Sequence, residues 1–148
     1  MRVAVLGGAG QLGTALLAAL RAAGHDVVPL DHDAVECTDP TSVDAALAAI
    51  GPEAVVNCAA VVRVDECEDR PEDAFRTNAV GALYVARAAA RCGARCVYVS
   101  TDYVFDGRRP PPVAYTETDL PVPVNVYGAS KLAGEHLVVQ ACPDALVV

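Results

Sequence analysis

Lysine is almost missing from this chain. Its 148 residues hold one, Lys131, against ten arginines. Basic charge is short altogether, with 11 Lys and Arg facing 19 Asp and Glu for a formal net charge of −8. That balance excludes the usual nucleic-acid binder, which carries a basic face. The longest charge-rich run, DECEDRPED (65–73), is mostly acidic and reads as the solvated start of a helix, where carboxylates are favourable. The 6 cysteines, at 37, 58, 67, 92, 96 and 142, form no CxxC pair. No histidine stands at ligand spacing from them, so no metal site is expected and the thiols read as reduced core residues. No stretch of 18 apolar residues is free of charges and breakers, so no membrane span is expected. The opening MRVAVLGGAG has too short an apolar run for a signal peptide. The cytoplasm is the expected compartment. Low-complexity sequence is also lacking, and at 53% apolar residues the chain can build one domain with a packed core.

What is present is alternation. The β-branched runs 2–6, 26–30, 54–59, 95–100 and 145–148 read as strands. Between them lie helical patterns at 11–24, 38–51, 71–93 and about 126–141. Leu12, Leu16 and Leu20 share one face of the first helix. Asp39 and Pro40 are the expected N-cap and first residue of the second. A Pro- and Gly-rich loop covers about 107–124. Uninterrupted apolar strands alternating with helices predict an α/β fold, a doubly wound (Rossmann-type) parallel sheet of about five strands. The expected order is 3-2-1-4-5, with the ligand crevice where the winding reverses between the first and fourth strands.

Two groups of residues carry chemistry. The first is GGAGQLG (7–13), between a strand and a helix. Gly7 would permit the tight turn, Gly10 a close approach of pyrophosphate, and Gly13 close packing of helix on sheet, with the helix N-terminus facing the phosphates. Asp31 ends the second strand, placed to accept hydrogen bonds from an adenosine ribose and to repel a 2′-phosphate. No arginine lies between 22 and 62, which favours NADH over NADPH. A plain turn aspartate is the alternative for Asp31. The second group is STDYVFDG (100–107) with YGASK (127–131). Tyr127 and Lys131 stand at i and i+4, on one helix face. A neighbouring ammonium lowers a phenol's pKa, and a compact lysine suits that place better than a flat guanidinium. A solvated Tyr–Lys pair is the alternative.

GGAGQLG, LDHDAVECTDP, PEAVVNCAAVVRVDECE, TNAVGALYVARAA, STDYVFDG and YTETDLPVPVNVYGASKLAGE together resemble the dTDP-4-dehydrorhamnose reductase family of extended short-chain dehydrogenases/reductases. The resemblance covers nearly the whole chain and implies roles. Gly10, Gln11 and Leu12 would contact the pyrophosphate, and Asp31 the adenosine ribose. The family's adenine-contacting acid falls on Glu36, with Cys37 beside it, and Ala60, Val61 and Val62 would line the cofactor. Thr101 and Asp102 would meet the sugar, with Thr101 orienting the C4 carbonyl. Tyr127 would be the general acid, and Lys131 would tune it and hold the nicotinamide ribose. The implied reaction reduces dTDP-4-dehydro-β-L-rhamnose with NADH or NADPH. The implied alternatives are a non-catalytic nucleotide-binding subunit of the methionine adenosyltransferase-partner type and an inactive cofactor-binding fragment. Val62 stands where the family usually has Thr. Asn78 is expected to make a structural helix–sheet hydrogen bond. Family members run to about twice this length. The C-terminal substrate region is therefore expected to be missing, turnover by this chain alone to be weak or absent, and the fifth strand to be an exposed edge open to self-association.

Overall fold

The computed structural model describes residues 1–148. Five parallel strands form one sheet: β1 (Arg2–Leu6), β2 (Asp26–Leu30), β3 (Ala54–Asn57), β4 (Arg95–Tyr98) and β5 (Leu146–Val147). The doubly wound class is as expected. The order is not: it runs β2-β1-β3-β4-β5, where 3-2-1-4-5 was predicted. Composition explains the difference. β2 carries Asp26 and Pro29, and a proline without an N–H belongs on a sheet edge. β3 buries Ala54 and Val55 and so takes an interior place beside β1. The chain therefore doubles back over β1 after β2, and the winding reverses between β1 and β3.

That reversal sorts the helices. Right-handed crossovers in opposite directions place successive helices on opposite faces. On one face α1 (Gln11–Ala22) packs Leu17 with Val3, Val5 and Ala54. On the other, α2 (Pro40–Ile50), α5 (Ala82–Arg91) and α6 (Val126–Ala141) share a core with Ala4, Leu6 and Val55. The apolar face of α1 is turned from the expected one: Gly13 and Leu17 are buried, Leu16 and Leu20 pack against them, and Leu12 is exposed. The capping of α2 is as expected, with Asp39 accepting from the Thr41 N–H at 2.9 Å and Pro40 in the first turn.

The helix expected over 71–93 is more elaborate. After α3 (Val64–Asp69), α4 (Pro71–Phe75) runs through a π-helical segment, Arg76–Gly81, into α5. The wider turn brings Asn78, fully buried, between α6 and the chain leaving β3. Its Oδ1 accepts from the Val61 N–H at 2.8 Å, and its Nδ2 donates to the Val61 carbonyl at 3.0 Å and to Ser130 Oγ at 2.9 Å. No helix is long and apolar enough to cross a membrane.

Candidate active site

The turn after β1 has its shape for a steric reason. Gly7 has φ +72°, and a Cβ there would lie 2.9 Å from the Ala59 nitrogen. A Cβ on Gly13 would run into the Gly7 carbonyl oxygen and sit 2.8 Å from Gly8 Cα. The start of α1 can therefore lie against the turn only as glycine. Gly10 caps α1 with no side-chain hydrogen bond, and the first turn holds no acidic residue. The N–H groups at Gln11 and Leu12 belong to that first turn, whose amides have no carbonyl partner within the helix. This is an uncompensated positive pole facing a crevice of about 220 Å³.

Gly7, Gly10, Asp31, Cys37 and Ala60 line that crevice. Asp31 Oδ1 accepts from the N–H groups of Asp33 (3.2 Å) and Ala34 (3.3 Å), so the plain turn role is real, and Asp31 serves it while lining the crevice. Glu36 is not brought to the crevice. Its carboxylate accepts from the Thr38 N–H (2.9 Å) and hydroxyl (2.8 Å), bonds that hold its pKa below the ordinary value. Cys37 beside it is buried, and burial raises its thiol pKa. Val61 contributes a backbone held at both ends by Asn78, while Val62 is 60% exposed.

The second group assembles at the start of α6. Asn125 accepts from the Gly128 N–H at 2.7 Å and fixes the helix start. A Cβ on Gly128 would lie 2.9 Å from the Tyr103 carbonyl carbon, so α6 docks tightly on the 3₁₀ turn Asp102–Val104. Tyr103 and Tyr127 meet edge to face with centroids 5.7 Å apart. Thr101 caps the turn by accepting from the Tyr103 N–H at 3.2 Å and donates to Asp102 at 3.3 Å. A groove of about 560 Å³ opens beside Thr101 and Asp102, with Ser100 and Glu135 in its wall.

Lys131 is 1% exposed. Its Nζ donates to the Val99 carbonyl at 2.6 Å and lies 3.9 Å from the centroid of the buried Tyr98 ring. Burial lowers its pKa from 10.5 to about 8, with Glu135 and Cys58 acting in the opposite direction. The expected lowering of the Tyr127 pKa by Lys131 is not what the structure shows. Burial pushes the Tyr127 phenol above its ordinary value, Thr101 works against that, and the ammonium is turned toward Val99 and Tyr98. Tyr98 was not singled out in the sequence. Its hydroxyl donates to the Asn78 carbonyl at 2.8 Å, and burial raises its pKa strongly.

The lysine has a thermodynamic signature. An unfolded chain keeps it protonated up to about 10.5, the folded one only up to about 8. Between those values the unfolded chain binds the extra proton, so this group adds stability as pH rises from about 8 to 10.5 and costs about 3 kcal/mol below that window. Lys131→Met, of similar length and uncharged, should therefore stabilise the fold by about 1–3 kcal/mol at pH 7, less the lost bond to Val99. Urea unfolding should show that gain shrinking toward pH 10. An unstabilised variant at pH 7 would contradict this account.

The RmlD substrate binding domain family matches residues 1–148. The chain belongs to that family. It is 42% identical to the dTDP-4-dehydrorhamnose reductase of Mycobacterium tuberculosis (strain ATCC 25618 / H37Rv) over 149 aligned residues, covering 99% of this chain and 48% of the relative. The dTDP-4-dehydrorhamnose reductase of Bacillus anthracis, solved in complex with NADP, superposes with a TM-score of 0.94 at 39% identity, over 99% of this chain and 51% of that one. The Thermus thermophilus UDP-glucose 4-epimerase complex with NAD gives a TM-score of 0.90 at 29% identity, over 99% and 54%. This RmlD-family chain thus spans about half the length of the curated relatives it matches.

Proposed function

We propose that this chain binds a nicotinamide dinucleotide in the crevice beside α1 and supplies the proton-donating side of a reductase acting on the C4 ketone of dTDP-4-dehydro-β-L-rhamnose. The observation that carries the reading is one placement: the half-buried Tyr127 stands beside Thr101, with Lys131 buried one turn behind it. The crevice residues suit the cofactor. The uncapped start of α1, with Gly10, Gln11 and Leu12, would receive the pyrophosphate. Asp31 would hold the adenosine ribose hydroxyls, and its charge disfavours a 2′-phosphate, so NADH is the preferred form. Ala60 and the Val61 backbone would border the nicotinamide half, and Lys131 its ribose. When bound, the nicotinamide supplies the hydride.

The rest is the work of the chain. Thr101 and Asp102 would hold the sugar at the groove, the Thr101 hydroxyl donating to the C4 carbonyl oxygen. As carbon 4 gains the hydride, that oxygen takes the Tyr127 phenolic proton and becomes a hydroxyl. The phenolate is then reprotonated from solvent. A phenol with a raised pKa carries that proton throughout the neutral range, as a general acid must. All six cysteines are free, which agrees with a reducing, cytoplasmic setting.

Titration of the chain with NADH and with NADPH, followed by nicotinamide fluorescence, tests the reading. Saturable binding, tighter for NADH, is expected. Asp31→Ala should weaken NADH about 10–100-fold and NADPH less, as for a lost charged hydrogen bond. Binding of neither nucleotide, or an unchanged ratio in Asp31→Ala, would reject it. Addition of the dTDP-sugar with NADH to a chain that also carries the substrate region of the longer relatives should then oxidise the nucleotide.

A further inference from the structure

Glu135 stands one helical turn beyond Lys131 on α6, as Lys131 stands one turn beyond Tyr127. It is half-buried and accepts a hydrogen bond from the Ser100 hydroxyl. Ser100 lies between Val99, whose carbonyl receives the Lys131 ammonium, and Thr101. Glu135 forms no ion pair within 4 Å, so its effect on the lysine acts through space and through the backbone it tethers.

We infer that Glu135 is a positioning residue for Lys131: it keeps the buried ammonium charged and, through Ser100, clasps α6 to the end of β4 that receives that ammonium. The role in turnover rests on the reading of Lys131 as part of a reductase site; the effect on the lysine does not. The groups facing Lys131 come from three elements. Cys58 follows β3, Tyr98 lies in β4, and Tyr127 and Glu135 share α6 with the lysine. Burial raises the pKa of the Cys58 thiol and of both phenols, which leaves all three neutral at pH 7. Glu135 is then the one anion that offsets the burial of the ammonium, and it comes before Cys58 among the groups that do so. Gly134 completes the geometry. A Cβ there would strike the Asn78 carbonyl and the Tyr98 hydroxyl, so only glycine lets this stretch of α6 close on Tyr98.

The lone lysine makes the test direct. A chain labelled with [ε-¹³C]lysine gives one side-chain signal, and its pH titration reports Lys131 alone. The wild-type midpoint should fall near 8. Glu135→Gln keeps an acceptor for Ser100 and removes the charge, and should lower the lysine's proton affinity about tenfold, a shift of about one pH unit. Glu135→Asp should lie between the two, and Cys58→Ala should move the midpoint less than Glu135→Gln does. A purely structural Glu135 would lower the melting temperature and leave the midpoint in place, and an unmoved midpoint overturns the inference. If Glu135→Gln does not fold, Ser100→Ala decides. It keeps the charge and cuts the tether, and should move the midpoint down by a smaller step; no movement overturns the inference equally. Failure of the wild type to bind NADH would sink the proposed function, while the lysine titration, which needs no nucleotide, still decides this one.

Discussion

Tyr127→Phe should lower the rate of NADH oxidation by the dTDP-sugar about 10²–10⁴-fold and leave the NADH dissociation constant within about twofold. The ring keeps its edge-to-face contact with Tyr103, and only the hydroxyl beside Thr101 is lost. The loss should therefore fall on kcat. The pH profile carries a further sign. Because burial raises the phenol pKa above its ordinary value, the donor is loaded at neutral pH. Reduction should stay flat across the neutral range and decline only in the alkaline region where the phenol ionises. The reverse oxidation needs the phenolate and should rise with pH instead. A variant that turns over at the wild-type rate would remove Tyr127 from the chemistry.

Asn78→Ala should cost about 3–5 kcal/mol of stability. The buried side chain makes three hydrogen bonds, two part-buried ones to the Val61 backbone and a buried one to Ser130. Alanine leaves the half-buried Val61 N–H without a partner and its carbonyl with only the Cys67 thiol at 3.8 Å, and a backbone group withdrawn from water and unpaired carries a desolvation penalty. For a domain of this size the melting temperature should drop by roughly 6–20 °C. Asn78→Asp separates hydrogen bonding from shape. Its carboxylate can still accept from the Val61 N–H but faces the Val61 carbonyl with an acceptor. Protonation restores a donor, so the folded-state pKa should be raised, and the lost stability should return on acidification through that value and fade as pH rises. Thermal melts from pH 4 to 8 would show it. A melting temperature within about 2 °C of wild type for Asn78→Ala would mean that the clamp contributes little.

The legible parts of this protein are those set by local chemistry. Asp39 and Pro40 could be read as a helix start because a cap is decided within four residues. Gly7 and Gly13 could be read as a tight turn with a helix packed closely on it because a missing Cβ has the same meaning in sequence and structure. A structural hydrogen-bonding role for Asn78 was legible too, but not its partners, which lie in the loop after β3 and on α6 instead of in the sheet, nor the π-helical segment, which depends on what packs against it, here Gly134 and the Tyr98 hydroxyl. Strand order failed at β2. Pro29 was the available signal, since a proline disfavours an interior place, and it was outweighed by the apolar run around it. Lys131 was found because it is solitary and stands four residues from a tyrosine. Its effect on the Tyr127 pKa was misjudged because burial, which no spacing reveals, outweighs the nearby charge. Glu135 repeats the same four-residue spacing and could have been found by extending it one turn.

The reversal of winding at β1 also governs when this protein becomes competent. Arg2–Leu6, made before both of its neighbours, pairs with residues 26–30 on one side and with 54–57 on the other. Gly7 donates its N–H to Leu30 at 2.8 Å and lies against Ala59. The turn after β1 is thus not finished by its own neighbours. It takes form only when segments more than fifty residues downstream have arrived, and pairings of that separation close late and together. During synthesis from the N-terminus the first βα unit must wait, its strand apolar on both faces, until β3 has emerged. Nucleotide affinity should therefore appear in one step with the folded sheet, with no binding-competent precursor built from the first helix alone.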